Sequence, residues 1–291
     1  MSEQNQNPLS NWGRWGSADQ LGCFNLLTPE RIQQAARLVK TGKTYSLAMR
    51  LAADGPQWPT RHKTWRVTTF HHQTEGVGSA DDVVTMHSHS GTHMDALCHV
   101  WYDGQFYNGF SAQEHMGSTG ATRNSIDNLP WIVGRGVLLD IARWKGVDHL
   151  RHDEAISAAD LDACAQAQGV HFEAGDILLL RTGWMSLFDS NRQEFERGEP
   201  GLDNSTLPWL KQHDIVAICA DNQAIEVIPQ LPPPSGLPFH PIAIRDLGLY
   251  LVENLNLEAL AADRVNECLI VIAPLPLTGG IGCPVNPIAI T

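Results

Sequence analysis

The segment His89–His99, with the sequence HSGTHMDALCH, places the strongest constraint on how this chain can fold. It holds three histidines and one aspartate around a glycine within eleven residues. Neutral imidazole and carboxylate groups are the ligands that a divalent ion such as Zn²⁺ or Mn²⁺ prefers in proteins. The fold must therefore enclose this segment, and the rest of the chain is expected to serve as its scaffold.

The spacing within this segment predicts a role for each polar side chain. Side chains of an extended segment alternate between faces, so His93 and Asp95 point the same way, and Gly91 permits a bend that lets His89 join them. His89, His93 and Asp95 are therefore the candidate metal ligands. His99 lies four residues beyond Asp95, too far along an extended chain to share the ion easily but near enough to reach bound water or substrate. We predict that His99 is the catalytic general base and acid.

Each of these residues also has a structural interpretation, in which the cluster is a polar core or a degenerate site. His87 competes with His89 as the first ligand, because the two side chains share a face if the strand stays regular. Cys98 is next to His99, which could indicate a nucleophile. Neighbours in an extended segment face opposite sides, however, so a packing role for Cys98 is favoured.

The segment resembles the His-x-Gly-Thr-His-x-Asp-x-Pro-x-His signature of the cyclase family of metal-dependent hydrolases. This family includes bacterial kynurenine formamidase, isatin hydrolase, some cyclic-imide hydrolases and a trans-dienelactone hydrolase. Gly91-Thr92 directly after His89 matches the signature and favours His89 over His87. Leu97 stands where the family usually has proline, a difference that concerns substrate fit more than chemistry. The resemblance continues in four further segments: Trp15–Leu27, Gly136–Asp140, Gly175–Trp184 and Phe239–Leu257.

The resemblance implies the swivelling β/β/α fold of kynurenine formamidase, a mixed α/β domain with a β-barrel-like sheet layered with helices. One such domain would span residues 12–291. Local patterns agree with a mixed fold. Thr28-Pro29-Glu30 predicts the start of a helix that Gly42 ends, and Ser157 with Asp160 predicts another that ends at Gly169. The predicted buried strands are Val133–Ile141, Asp176–Arg181, Ile215–Ala220, Tyr250–Glu253 and Cys268–Ile272.

Two distal residues, His240 and Glu253, match the distal metal ligands of the kynurenine formamidase type. Glu253 lies in an apolar strand, where an unpaired carboxylate is expensive to bury. Asp95 could bridge one ion, held by the proximal histidines, to a second ion held by His240 and Glu253. The alternatives are a single ion whose shell or bound water His240 or Glu253 completes, or a structural role for Glu253.

The resemblance also implies substrate-pocket and assembly features. Aromatic residues from early segments help to line the pocket in the family, sometimes across a dimer interface, so Trp12 and Trp15 are candidate pocket residues. A packed arm that closes a core edge is an equal alternative for them. Asn222 follows a buried strand at its carboxyl end, where site residues often collect. The family tends to form homodimers or homotetramers.

The composition of the chain limits which binding partners and which cell compartment we expect for the protein. The 291-residue chain has a net charge of −12 and no Lys/Arg cluster, which argues against nucleic acid and anionic membranes and favours a small-molecule substrate. Residues 1–11 are polar and expected to be disordered. No apolar run or leader pattern is present, which predicts a cytoplasmic protein whose six scattered cysteines stay reduced.

Together these features predict a metal-dependent hydrolase that uses Zn²⁺ or Mn²⁺, as one or two ions, to activate water against an amide-type C–N bond. The bond would belong to an aryl formamide, a cyclic amide or a cyclic imide. Alternatives are a lactone hydrolase on the same site, a non-hydrolytic metal-dependent lyase or isomerase, and a metal-containing binding protein without turnover. The presence of His99 argues against the last of these.

Overall fold

A curled β-sheet covered by helices forms the centre of the molecule, in agreement with the predicted mixed α/β architecture. The computed structural model describes residues 8–71, 76–233 and 236–291. The strands in these ranges are β1 (Thr44–Ser46), β2 (Trp65–His71), β3 (Ser79–Thr85), β4 (His93–Asp95), β5 (Met116–Gly117), β6 (Gly120–Ala121), β7 (Ile132–Asp140), β8 (Ala155–Ile156), β9 (Ile177–Arg181), β10 (Gly201–Leu202), β11 (Ala217–Ala220), β12 (Tyr250–Glu253), β13 (Glu267–Ile272), β14 (Gly282–Pro284) and β15 (Ile288–Ile290).

The helices are short, and most lie between strands. The α-helices in the described ranges are α1 (Pro29–Ala36), α2 (Ala112–His115), α3 (Ile141–Trp144), α4 (Ala158–Gln168), α5 (Leu187–Ser190), α6 (Arg192–Phe195), α7 (Thr206–Gln212), α8 (Phe239–Pro241) and α9 (Glu258–Ala262). A π-helical turn, Ile242–Asp246, continues α8, and 3₁₀ turns occur at Gly22–Leu26, Tyr107–Gly109, Ile126–Asn128 and Trp184–Ser186.

The main sheet has nine strands in the order β1-β15-β13-β7-β9-β11-β12-β4-β14. Strands β7, β9, β11 and β12 run parallel to their neighbours within this group, whereas β4 and β14 are antiparallel. The central parallel strands are buried along their length, which explains their near-continuous apolar sequences. The antiparallel edge sets the register that matters for the site: Glu253 of β12 lies opposite His93 of β4, and Gly282 of β14 lies opposite Asp95.

Capping side chains mark the starts of the two helices whose first residues the sequence predicted. The Thr28 side chain accepts a hydrogen bond from the Arg31 backbone at the start of α1. Ser157 and Asp160 form a reciprocal capping box at the start of α4, and Gly169 ends that helix in the left-handed conformation. The helix predicted to reach Gly42 ends at Ala36 instead.

The expected disorder of residues 1–11 is wrong for Asn11, while residues 1–7 lie outside the described part. Asn11 is buried, and its side-chain amide donates to the Leu247 carbonyl at 2.9 Å. Its backbone nitrogen also donates to the carbonyl of Asp246 at 2.8 Å. Asn11 therefore ties the N-terminal segment to the end of the π-helical turn.

No helix in the described ranges is long and apolar enough to cross a bilayer.

Candidate metal centre

The histidine segment leaves the sheet through a tight turn, and this turn brings His99 back to the other polar residues. Only His93–Asp95 is a strand, β4. After it, the backbone nitrogen of His99 donates to the Ala96 carbonyl at 2.9 Å. The ring centroids of His89 and His99 are consequently 4.1 Å apart. The expectation of an extended chain beyond Asp95 was wrong, so His99 lies close enough to share an ion, while its role as general base and acid stays a prediction.

Asp95 lies at the centre of the polar cluster. Its Oδ1 is 3.3 Å from His89 Nε2 and 3.8 Å from His93 Nε2. Its other oxygen, Oδ2, is 3.9 Å from His240 Nε2. The carboxylate therefore faces the proximal histidines with one oxygen and the distal histidine with the other.

Two groups of potential ligand atoms share this aspartate. His89, Asp95 and His99 form one group, and Asp95, His240 and Glu253 form the other, with the donor atoms of each group lying within 4.8 Å of one another. His93 links the groups, because its Nε2 is 3.1 Å from Glu253 Oε2 as well as close to Asp95. The structure thus brings together all the predicted metal ligands, and it adds His99 to the same cluster.

The nitrogen and oxygen atoms of this cluster are better suited to bind a cation than to form hydrogen bonds with one another. In the described part of the chain, His89 Nε2, His93 Nε2 and both carboxylate oxygens of Asp95 are buried without a hydrogen-bond partner. Buried polar atoms of this kind are costly unless something satisfies them. Imidazole nitrogens and carboxylate oxygens are the donor set of a Zn²⁺ or Mn²⁺ site. These residues therefore suit a divalent ion.

Hydrogen bonds on the far side of each ring aim the histidines at the centre. His93 Nδ1 is 2.9 Å from the Gly91 carbonyl, so Nδ1 carries the proton. Nε2 therefore keeps a free electron pair that can bind a metal ion. His89 Nδ1 is 3.0 Å from the Ser88 hydroxyl. His240 Nδ1 is 2.7 Å from Glu226 Oε1.

The sequence analysis did not identify Glu226. Its carboxylate also accepts hydrogen bonds from the backbone nitrogens of Phe239, at 3.1 Å, and His240, at 3.0 Å. It thereby holds both the ring and the backbone of His240. A signal was available, because Glu226 stands between apolar residues on both sides, the same pattern that singled out Glu253.

Electrostatics within the cluster favour neutral imidazoles at His89 and His99, a raised pKa at His93 beside Glu253 and Asp95, and an ionised Glu253. Burial lowers the pKa of His89 and that of His99. Burial alone would raise the pKa of Glu253, but the hydrogen bond with His240 and the nearby His93 imidazole outweigh it and lower that pKa to about 2. Burial alone would lower the pKa of His240, but the hydrogen bonds with Glu226 and Glu253 raise it to about 10. His240 therefore favours its protonated form beside these carboxylates.

Two glycines make room for the cluster. Gly91 has a φ of +60°, and a Cβ there would lie 2.8 Å from Leu51 Cδ2. A Cβ on Gly282 would lie 2.6 Å from His89 Nε2 and 2.9 Å from the Met94 carbonyl. Gly91 was recognised from the sequence as a bend, whereas the need for Gly282 depends on strand pairing.

The remaining predicted residues lie apart from the cluster. His87 is exposed and stacks on His62 with ring centroids 5.9 Å apart, so the choice of His89 as the proximal donor agrees with the structure. Cys98 is buried, and burial raises the pKa of its thiol to about 12, which agrees with a packing role.

The three predicted pocket residues have structural partners. Trp12 Nε1 donates to the Arg245 carbonyl at 2.6 Å, and the Arg14 guanidinium carbon lies 4.8 Å from the centroid of the Trp15 ring. The Asn222 amide donates to the Pro200 carbonyl at 2.7 Å and accepts from the Ile225 nitrogen at 3.0 Å. Both ends of the Asn222 side chain are therefore used within the protein. The pocket roles of Trp12 and Trp15 stay predictions.

Comparison with known proteins places this fold and site in a family. The chain matches the family model "Cyclase" over residues 45–227. A solved structure of a cyclase is 35% identical, with a TM-score of 0.89 and coverage of 97% of this chain and 99% of that chain. No curated protein matches the chain.

Two more distant structures share the fold. Isatin hydrolase A from Ralstonia solanacearum is 20% identical, with a TM-score of 0.63 and coverage of 85% of this chain and 91% of that chain. A protein described as a predicted metal-dependent hydrolase, from Bacillus stearothermophilus, is 19% identical, with a TM-score of 0.56 and coverage of 86% and 98%. The family match and the 35% identical structure carry the assignment: this chain belongs to the cyclase family.

Proposed function

We propose that this protein is a metal-dependent hydrolase of an amide-type C–N bond in a small molecule. The observation that carries the proposal is the convergence of buried imidazole and carboxylate atoms on Asp95, four of which have no hydrogen-bond partner in the described part of the chain. The fold shared with isatin hydrolase A supports the choice of a cyclic amide, an aryl formamide or a cyclic imide as substrate.

The residues divide into holding and proton-transfer roles. His89, His93, Asp95, His240 and Glu253 would hold one or two divalent ions, Zn²⁺ or Mn²⁺. Such an ion lowers the pKa of water and polarises a carbonyl group. Asp95 has an oxygen facing each half of the cluster, which suits a bridging role between two ions.

We assign proton transfer to His99. It lies beside Asp95, and the residue is partly exposed. Burial lowers its pKa, which keeps the imidazole neutral and able to accept a proton. His99 would take the proton of the attacking water and donate it to the leaving nitrogen as the C–N bond breaks.

The decisive experiment joins metal analysis to a substrate panel. Purified protein is assayed for metal content and stoichiometry, and then for hydrolysis of N-formylkynurenine, isatin, succinimide-type imides and lactones. We expect turnover of at least one amide or imide, lost on chelation and restored by Zn²⁺ or Mn²⁺. Asp95→Asn should lose both ion and turnover, whereas Asp189→Asn, at an exposed position, should keep both.

Other outcomes of this panel select the alternatives. Turnover of lactones alone would make the protein an ester hydrolase on the same site. Full metal content without turnover of any member would favour a lyase, an isomerase or a binding protein. Normal activity in Asp95→Asn, with its ion retained, would refute the metal centre itself.

A further inference from the structure

A cavity of about 420 Å³ lies beside the histidine segment. Two of its lining residues bond to successive residues of that segment: Arg61 Nη1 donates to the His89 carbonyl at 2.8 Å, and Gln57 accepts from the Ser90 hydroxyl at 3.0 Å. The cavity therefore adjoins the metal centre through Arg61.

Charged side chains of both signs line the cavity. Three are cationic, Arg61, Lys63 and Arg192, and two are acidic, Asp54 and Glu196. Arg192 is engaged, because it lies 3.9 Å from Glu196 and its guanidinium carbon is 3.5 Å from the Phe188 ring centroid. In the ranges that the structure describes, neither Arg61 nor Lys63 has a carboxylate within 4.0 Å. In a chain of net charge −12, such unpaired cations indicate a site for an anion.

The aromatic residues that line the cavity indicate what kind of molecule bears the anionic group. Trp58, Phe188 and Phe195 line the same cavity. Trp58 is partly exposed and offers apolar area and a ring face to a flat aromatic ligand, whereas Phe188 and Phe195 are buried and form the apolar floor behind it. The Arg61 guanidinium presents a planar set of donors, one of which the His89 carbonyl uses, and the others match the geometry of a carboxylate.

We propose that this cavity binds the carboxylate group of an aromatic substrate, with Arg61 pairing with the carboxylate while the scissile bond lies at the metal centre. The substrate class is thus an aromatic carboxylic acid that also carries an amide-type bond. This proposal rests on the proposed hydrolase function. The binding part of it can nevertheless be measured without turnover.

The test compares benzoate with benzamide, which have the same ring but differ in charge. Calorimetric titration of the metal-loaded full-length protein should show benzoate binding at least about tenfold more tightly, the size expected of a charged hydrogen-bonded pair. Arg61→Gln should lose that preference, with benzamide binding unchanged. Arg66→Gln is the matched control, since Arg66 is exposed on the β2–β3 hairpin and lies 3.6 Å from Asp82.

A second variant covers the case in which loss of Arg61 disturbs the His89 backbone. Lys63 is exposed, so Lys63→Gln should preserve the fold, and benzoate binding should weaken about threefold, as for an exposed ion pair. Equal binding of the two ligands by the wild-type protein would overturn the proposal. So would benzoate affinity that is unchanged in both Arg61→Gln and Lys63→Gln.

A carboxylate can also bind a metal ion directly, so the titration is repeated on the full-length chain after chelation. Retained benzoate preference in the stripped protein, lost in Arg61→Gln, supports the cavity. Benzoate binding that disappears with the ion and is indifferent to Arg61 overturns it. Absence of turnover across the substrate panel with Arg61-dependent benzoate binding would refute only the hydrolase function. Turnover without benzoate preference would refute only the anion site.

Discussion

At the scale of single residues, Glu226 is the side chain that most clearly supports another residue's function. Its carboxylate receives three hydrogen bonds, from His240 Nδ1, the His240 nitrogen and the Phe239 nitrogen. These bonds direct His240 Nε2 at Glu253 and Asp95. Carboxylates behind a metal-binding histidine orient the ring and increase its basicity.

Glu226→Gln should therefore weaken divalent metal binding roughly tenfold to a hundredfold, as measured by competition with a chromophoric chelator. The matched control is Glu199→Gln. Glu199 is equally buried and accepts from the Gln223 nitrogen at 2.7 Å, and burial raises its pKa well above the ordinary value, so the neutral amide resembles its neutral acid. Unchanged metal affinity in Glu226→Gln would show that His240 is held by packing alone.

His99→Ala separates proton transfer from metal binding. His99 is partly exposed, whereas the five residues that we propose as metal ligands, His89, His93, Asp95, His240 and Glu253, are buried. We expect near-normal metal content and a loss of roughly a hundredfold to ten-thousandfold in turnover. His87→Ala, at the exposed neighbouring histidine, should leave both quantities unaltered. Release of the ion from His99→Ala would instead make His99 a ligand, as its position beside Asp95 permits.

At the scale of elements, the site depends on three adjacent strands. Strand β4 lies between β12 and β14, so its ligands are flanked by Glu253 on one side and by Gly282 on the other. The sequence predicted β12 and the extended character of β4, because both follow from local apolar and alternating patterns. It did not predict their pairing, since register depends on side chains from distant parts of the chain.

Gly282→Ala tests this arrangement. The new methyl group would lie 2.6 Å from His89 Nε2 and 2.9 Å from the Met94 carbonyl, so the ring must move. We expect loss of bound metal and about 1–3 kcal/mol of destabilisation, the usual cost of overpacking, measured by metal analysis and urea unfolding. Gly117→Ala is the control, because a Cβ there would lie 3.9 Å from the Gly120 carbonyl oxygen, an ordinary van der Waals contact. Wild-type metal content in Gly282→Ala would show that His89 does not need its present position.

At the scale of the whole molecule, the β2–β3 hairpin has an apolar face on which no other described part of the chain packs. Trp65, Val67 and Val83 share one face of it and are 57%, 37% and 55% exposed. A two-stranded hairpin is marginally stable in water unless a face is packed. The homodimer or homotetramer implied by the family resemblance would supply that packing, with a second copy of the chain as the partner.

Val83→Lys should therefore shift the protein toward the monomer in sedimentation-velocity experiments, because it places a charge in the middle of this apolar face. Val84→Lys is the matched control: Val84 is 49% exposed, but it lies on the opposite face, across from Arg66. Metal content should persist in both variants. A wild-type protein that sediments as a single chain at all concentrations would contradict the assembly.

The sequence by itself determined the parts of this protein that depend on short-range patterns. The caps at Thr28 and Ser157, the apolar central strands and the shared face of His93 and Asp95 all follow from residues within a few positions of one another. The distal pair His240 and Glu253 came from resemblance, and the structure brings their side chains within 3.0 Å of each other.

The tertiary structure alone decided the rest. The turn at Leu97-Cys98 returns His99 to Asp95, Glu226 reaches His240 from another loop, and Arg61 joins the His89 carbonyl to a cavity. None of these contacts follows from alternation or capping, because each depends on where the folded chain places segments that are distant in sequence or leave the extended conformation. Close packing determines which of these distant groups meet.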